Sequence, residues 1–235
     1  MRQYAVLLER RVQRGTQARK ALVATRQANS LGRSMIEMLG VLAIIAVLTV
    51  GGIAGYSKAM EQFKVDKAVS EYSYLIQGLL EHLKDLQNVS KPNEGDIQYG
   101  LTSVVEAESL VPETWEKISN HNYNDPYGNL IRIFSRSQTL VIDMYLGGYS
   151  DLDDGTQASL SFSPKFCSAL MQDVVQPLAS VLNKAWFTNG NEYMGDAYCS
   201  ESTLCIRNIS LREINNVCNY CTKEANKLCG LILVF

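Results

Sequence analysis

Residues 32–56 read GRSMIEMLGVLAIIAVLTVGGIAGY, and the rest of the chain takes its place from that stretch. From Met38 through Ser57, 20 residues pass without a charge, with Glu37 standing at their leading edge. At the α-helical rise of about 1.5 Å per residue such a run spans roughly 30 Å, the thickness of a bilayer's hydrocarbon core. It is therefore read as a transmembrane helix over 33–56. Residues 1–32 carry seven basic side chains (Arg2, Arg10, Arg11, Arg14, Arg19, Lys20 and Arg26) against Glu9, a net +6, whereas the remainder carries −8. A basic flank before an apolar span stays in the cytoplasm and sends the C-terminal part of the chain outward, so a single-pass topology with a cytoplasmic N-terminus is expected. The acidic excess of the outward part argues against nucleic acid as its main partner. An ordinary secretory signal is also disfavoured, because no small-residue cleavage site comes after the apolar run and the run is too long for a signal core. Hydropathy alone would leave an uncleaved signal anchor.

Gly32 followed five residues later by Glu37 and then an apolar helix resembles the N-terminus of type IV pilins and the related pseudopilins. The resemblance is strong over residues 32–56 and reaches the rest of the chain only in outline. It implies a prepilin whose leader, 1–32, is removed by a prepilin peptidase between Gly32 and Arg33, with methylation of the new amine. Arg33 stands where the family usually has an aromatic or aliphatic residue, and the long leader is more like the type IVb branch. The family also implies a role for Glu37, since a carboxylate inside a membrane costs roughly 2.5–3.5 kcal/mol and is seldom idle. In a stack of subunits it would meet the terminal amine of a neighbour, setting the assembly register. Family members commonly carry a proline in this helix, but here none lies between Arg33 and Lys91. Gly51, Gly52 and Gly55 lie there instead, each weakening the helix by about 1 kcal/mol relative to Ala or, alternatively, admitting close packing of a neighbouring helix.

Beyond the membrane the apolar positions Met60, Phe63, Ala68, Tyr72, Leu75, Leu79, Leu83 and Leu86 recur at helical spacing with charges between them. Residues 57–91 are thus expected to continue the helix in amphipathic form, stopped by Ser90–Gly95. Residues 92–235 form the extracytoplasmic head. Its first part, Asp96–Tyr127, reads as loop-rich with a short helix around Pro112–Ile118. Asp125-Pro126-Tyr127-Gly128-Asn129 is a strong turn signal, similar to one in major pseudopilins, and precedes a hairpin of Leu130–Phe134 and Thr139–Leu146 joined through Ser135–Gln138. The spacing of Phe166, Leu170, Val174, Leu178 and Leu182 predicts a helix over Lys165–Trp186, divided or kinked at Pro177. Ser210 and Glu213 form a capping box opening a last helix, and Leu231–Phe235 is expected to be a strand.

All six cysteines, Cys167, Cys199, Cys205, Cys218, Cys221 and Cys229, fall in the last 70 residues, the part expected outside the cytoplasm. An even set there points to disulfides, with 15 possible connectivities that sequence does not decide. Resemblance to type IVb pilins implies one bond closing the C-terminal region, Cys167 to Cys218, and Cys199 with Cys205 could close a short hairpin. A rival is a zinc site of four thiolates from Cys199, Cys205, Cys218 and Cys221, weakened by the irregular first pair and by the oxidising compartment. The acidic loop with Asp151, Asp153, Asp154 and Gly155 lacks the ligand spacing of an EF-hand and reads as a solvated turn rather than a calcium site. His82 and His121 have no nucleophile beside them, and no phosphate-binding loop occurs, so neither enzyme activity nor a cofactor is expected.

The expectation is an α+β, pilin-like fold, with a long N-terminal helix packed on an antiparallel-sheet head. The expected function is structural: a filament subunit that partners copies of itself, other pilin subunits, prepilin peptidase and the inner membrane. The alternatives are a type II secretion pseudopilin, or an uncleaved single-span protein with an extracellular binding head.

Overall fold

A computed structural model describes residues 35–148, 162–188, 190–221 and 228–235 in full, and the backbone alone for the helical residues 2–34 and 222–223 and for the strand residues 150–151 and 157–158. The chain forms two compact units, residues 1–61 and 62–235. One helix, α1 (Arg2–Glu81), supplies the whole of the described first unit and the opening of the second.

Within the second unit α1 is amphipathic, as its spacing predicts, but the buried face is turned slightly from the expected one. Val65, Ala68, Val69, Tyr72, Leu75, Ile76 and Leu79 enter the core, whereas Phe63 is 60% exposed. At His82 the regular pattern gives way to an i→i−3 bond, with the His82 amide donating to the Leu79 carbonyl at 3.2 Å. The helix resumes as α2 (Leu83–Gln87), which buries Leu86. The spine is thus broken at His82 instead of running unbroken to Val89.

The second unit is α+β, with a mixed nine-stranded sheet. The strands are β1 (Tyr99–Gly100), β2 (Glu116–Lys117), β3 (Asn122–Asn124), β4 (Leu130–Arg136), β5 (Thr139–Tyr145), β8 (Lys184–Phe187), β9 (Glu192–Met194), β10 (Leu204–Cys205) and β11 (Gly230–Val234). A separate pair is made by β6 (Ser150–Asp151) and β7 (Gln157–Ala158). The order is β10-β9-β8-β11-β5-β4-β3-β2, with β1 also bonded to β4. The expected antiparallel sheet is corrected at one place, since β10 runs parallel to β9. The β4–β5 hairpin is longer and tighter than expected. β4 runs on to Arg136, and only Ser137 and Gln138 make the turn, both at positive φ (48° and 59°), the two-residue geometry that suits the twist of paired strands.

Two helical expectations are corrected. The segment Pro112–Ile118 holds β2 in place of a helix, and the short helix of this region is α3 (Thr102–Ala107), whose Val105 is fully buried. The predicted helix over Lys165–Trp186 is α4 (Pro164–Leu170), capped by the Ser163 hydroxyl, with a π-turn over Met171–Val175 and a 3₁₀ turn over Gln176–Ser180 after it. Pro177 has no amide to give to an α-helical ladder, so the chain widens before it, tightens at it and leaves as β8. Leu182 is buried, but from the connection to β8 and not from a helical face. By contrast the expected capping box does open α5 (Leu211–Lys223): the Ser210 amide donates to Glu213 Oε2 at 2.8 Å and the Glu213 amide to Ser210 Oγ at 3.3 Å.

Strand alternation sends Ile131, Ile133, Leu140, Ile142, Met144, Leu231 and Leu233 into one core with the buried faces of α1, α4 and α5. The opposite sheet face carries Arg132 and Asp143, directly paired across β4 and β5, with Ile232 of β11 next to Asp143. Arg132 Nη1 donates to Asp143 Oδ2 at 3.4 Å and to the Tyr145 hydroxyl at 3.3 Å, while its guanidinium lies 5.3 Å from the Phe134 ring centre. Burial raises the Asp143 carboxyl to about 6, the positive charges of Arg132 and Arg136 offsetting only part of the effect. The folded chain therefore holds this proton more tightly than the unfolded chain, where an Asp titrates near about 3.9. Its contribution to stability is complete below about pH 4 and is lost as pH rises through about 6, a change of roughly 3 kcal/mol. Denaturant unfolding of the wild type and of Asp143→Asn across that window should show their stability difference moving by about this amount. A constant difference would place the carboxyl's titration elsewhere.

Candidate assembly helix and cysteine framework

In the first unit, α1 from Met35 to Glu61 buries no residue. Apolar side chains cover every side of it; Ile36, Val47 and Val50 are 73%, 74% and 71% exposed. A helix with one apolar stripe can be satisfied by one packed neighbour, but a helix apolar all round needs lipid or several helices about it. Its few polar groups fit that reading. Thr49 Oγ1 returns its proton to the Ile45 carbonyl at 2.6 Å, so the hydroxyl asks nothing of its surroundings. At Gly40, Gly51, Gly52 and Gly55 an added Cβ would meet nothing within 4 Å, so no packing among the described residues requires glycine. The helix stays regular through Gly51–Gly55.

Glu37 is exposed on α1, immediately before the uncharged run. Gly32 and Arg33 lie on the same helix as backbone, and the side chains of residues 1–34 lie outside the described residues.

The second unit is fastened covalently in three places. Cys167 of α4 is bonded to Cys218 of α5, with Cα atoms 5.8 Å apart and both residues buried. Cys199 is bonded to Cys205 across a sequence separation of 6, and Cys221 at the end of α5 to Cys229 just before β11, across a separation of 8. The four thiolates of the rival zinc site therefore do not converge. Cys199 and Cys205 are spent on each other, while Cys218 and Cys221 are bonded to two different partners. Among the described residues no group of three or more His, Cys, Asp or Glu side chains is placed to hold a metal. The acidic loop 152–156 lies outside the described residues, and Asp151 is known only as part of β6. The two histidines lie apart, His82 with Nε2 at 4.0 Å from Glu108 and His121 with Nε2 at 3.5 Å from the Gln98 carbonyl.

Asp125, which the sequence marks only as part of a turn, is a polar centre. Its Oδ1 accepts the amides of Tyr127 and Asn129 at 2.9 and 2.8 Å, and its Oδ2 accepts Asn129 Nδ2 at 2.6 Å and the Tyr72 hydroxyl at 3.0 Å. Asn129 Oδ1 in turn accepts the Gly147 amide at 2.7 Å. Burial raises the Asp125 carboxyl and these donors pull it back. The local half of this cluster is legible in the sequence as D-P-Y-G-N; its partner Tyr72, 53 residues earlier, is not.

Tyr72→Phe removes one of four donors to a buried carboxylate and should cost about 1–2 kcal/mol in unfolding free energy, where a change near zero would show that the bond adds nothing. Replacing both cysteines of the Cys167–Cys218 bond by Ala should destabilise by about 4 kcal/mol, and the same change at Cys199 and Cys205 by about 2, because closing the longer loop removes more freedom from the unfolded chain. Thermal or denaturant unfolding of the two double variants checks that order. Compared with known proteins, the chain matches no family model, no curated protein and no solved structure.

Proposed function

We propose that this protein is a prepilin-like structural subunit of a type IV pilus-like filament. One observation carries the reading: a 20-residue uncharged helical run led by Glu37, none of it buried, belongs to a chain whose other unit buries a complete core of its own. The first unit needs an apolar environment, and the second does not. Both lipid and a bundle of like helices supply one, so exchange between them is nearly even in free energy. Such an exchange suits a filament drawn out of a membrane and returned to it. In this reading the leader 1–32 is cut between Gly32 and Arg33 on the cytoplasmic side. Glu37 then meets the terminal amine of a neighbouring subunit, and the second unit lies outside the inner membrane. The disulfides support that placement, because an oxidising compartment is where such bonds persist. The role is structural, with no catalytic step assigned.

Two measurements test it. Intact mass spectrometry of the membrane-extracted protein, with and without the host's prepilin peptidase, should give a peptidase-dependent mass beginning at Arg33. A chain beginning at Met1 in both hosts would favour the uncleaved single-span protein. Glu37→Ala should be cleaved and remain in the membrane yet fail to appear in sheared filaments, whereas unimpaired incorporation would remove Glu37 from assembly.

A further inference from the structure

We infer that Cys199–Cys205 is an exchangeable disulfide, the site at which this protein reacts with an external dithiol while its other two bonds stay closed. The three bonds differ in what an attacking thiolate can reach. Cys167 and Cys218 are 3% and 0% exposed, so opening their bond requires the core around α5 to part, and in the third bond Cys229 is 2% exposed while Cys221 is partly buried, where Cys199 is exposed. Cys199 is exposed, on the connection between β9 and β10, whereas its partner Cys205 is 8% exposed on edge strand β10. Access to the attacked sulfur governs thiol exchange, and Cys199 offers it.

The leaving sulfur is already surrounded by oxygens. Cys205 Sγ lies 3.8 Å from Thr203 Oγ1, 3.7 Å from the Thr203 carbonyl and 3.9 Å from the Ser200 carbonyl. The Thr203 hydroxyl donates to the Ser200 carbonyl at 3.1 Å, and a Cys205 thiol formed there can donate to the Thr203 or the Ser200 carbonyl. The turn itself does not rely on the covalent bond. The Ser200 amide donates to Thr203 Oγ1 at 2.8 Å, the Thr203 amide returns to the Ser200 carbonyl at 3.1 Å, and β10 stays paired with β9 at Leu204 and Cys205.

The reaction balances as a two-electron exchange. A thiolate of the dithiol attacks Cys199 Sγ, forming a mixed disulfide and expelling Cys205 as thiolate, which takes up a proton. The dithiol's second thiol, on losing its proton, attacks its own sulfur in the mixed disulfide and expels Cys199 as thiolate, which is protonated in turn. The protein ends with two thiols and the dithiol is oxidised to its disulfide. The bond lies in a loop whose residues Ser200, Glu201, Thr203 and Leu204 line a surface cleft with Tyr193 and Ile209, which gives an external thiol room beside Cys199.

The test uses the oxidised full-length protein in detergent. It is exposed to graded dithiothreitol, trapped by acid, alkylated in denaturant and mapped by peptide mass spectrometry. Cys199 and Cys205 should become alkylated at dithiothreitol concentrations about tenfold below those that open the other two bonds, with circular dichroism unchanged. Loss of all three bonds together, or of Cys167–Cys218 or Cys221–Cys229 first, would overturn the inference. With the monothiol glutathione in place of dithiothreitol, the trapped adduct should lie on Cys199; an adduct on Cys205 would refute the direction of attack.

Discussion

The Tyr72 hydroxyl bonded to Asp125 is the contact on which the second unit's geometry turns. Apolar packing holds α1 against the sheet, but a stripe of Val, Ala and Leu is tolerant of sliding and rotation. A hydrogen bond to a buried carboxylate is not, since moving it leaves a desolvated acceptor without its donor. Asp125 fixes its own turn through two backbone amides and, through Asn129, the end of β5 at Gly147. One short polar cluster thereby locks the helix, the turn before β4 and the exit from β5 into a single register. Glu71, one residue before Tyr72, adds a second polar tie, accepting from the Trp115 indole and the Thr114 hydroxyl at 3.1 Å each.

The features legible in the sequence are those that local chemistry dictates. The uncharged run, the D-P-Y-G-N turn with its hairpin, the capping box and the final strand each rest on residues close together in the chain, and each lies within two residues of its expected place. The departures have one physical origin. Phe166, Leu170, Val174, Leu178 and Leu182 keep a helical period, but Pro177 stops the α-helical hydrogen bonding, and Trp186 belongs to a strand whose partner, β11, lies nearly fifty positions later. Likewise periodicity alone puts Phe63 on the buried face of α1, although the surface that receives the helix is built from strands far along the chain. Asp143 is invisible in one dimension for the same reason, its burial being set by neighbours on other strands.

The candidate site divides similarly. Glu37 is conspicuous because a charge beside an apolar run stands out along the chain. The cysteine pairing is not, because six thiols in 70 residues are compatible with many arrangements until α4 and α5 are packed together. Nor could composition rank the three bonds by access, which depends on one of them lying beside an edge strand and the others beside α5.

The position of β11 has a consequence in time. It lies between β5 and β8, bonded to both, and among the described residues no other strand joins the β8-β9-β10 side of the sheet to the β5-β4-β3-β2 side. It is also the last of the strands in chain order. Until this segment is in place, β5 and β8 each lack the neighbour they share, so the sheet closes only once β11 has been added. The Cys221–Cys229 bond holds that segment beside α5, shortening the search for its slot. Closure of the sheet therefore waits on β11, and without it the edges of β5 and β8 are open to pairing with other chains.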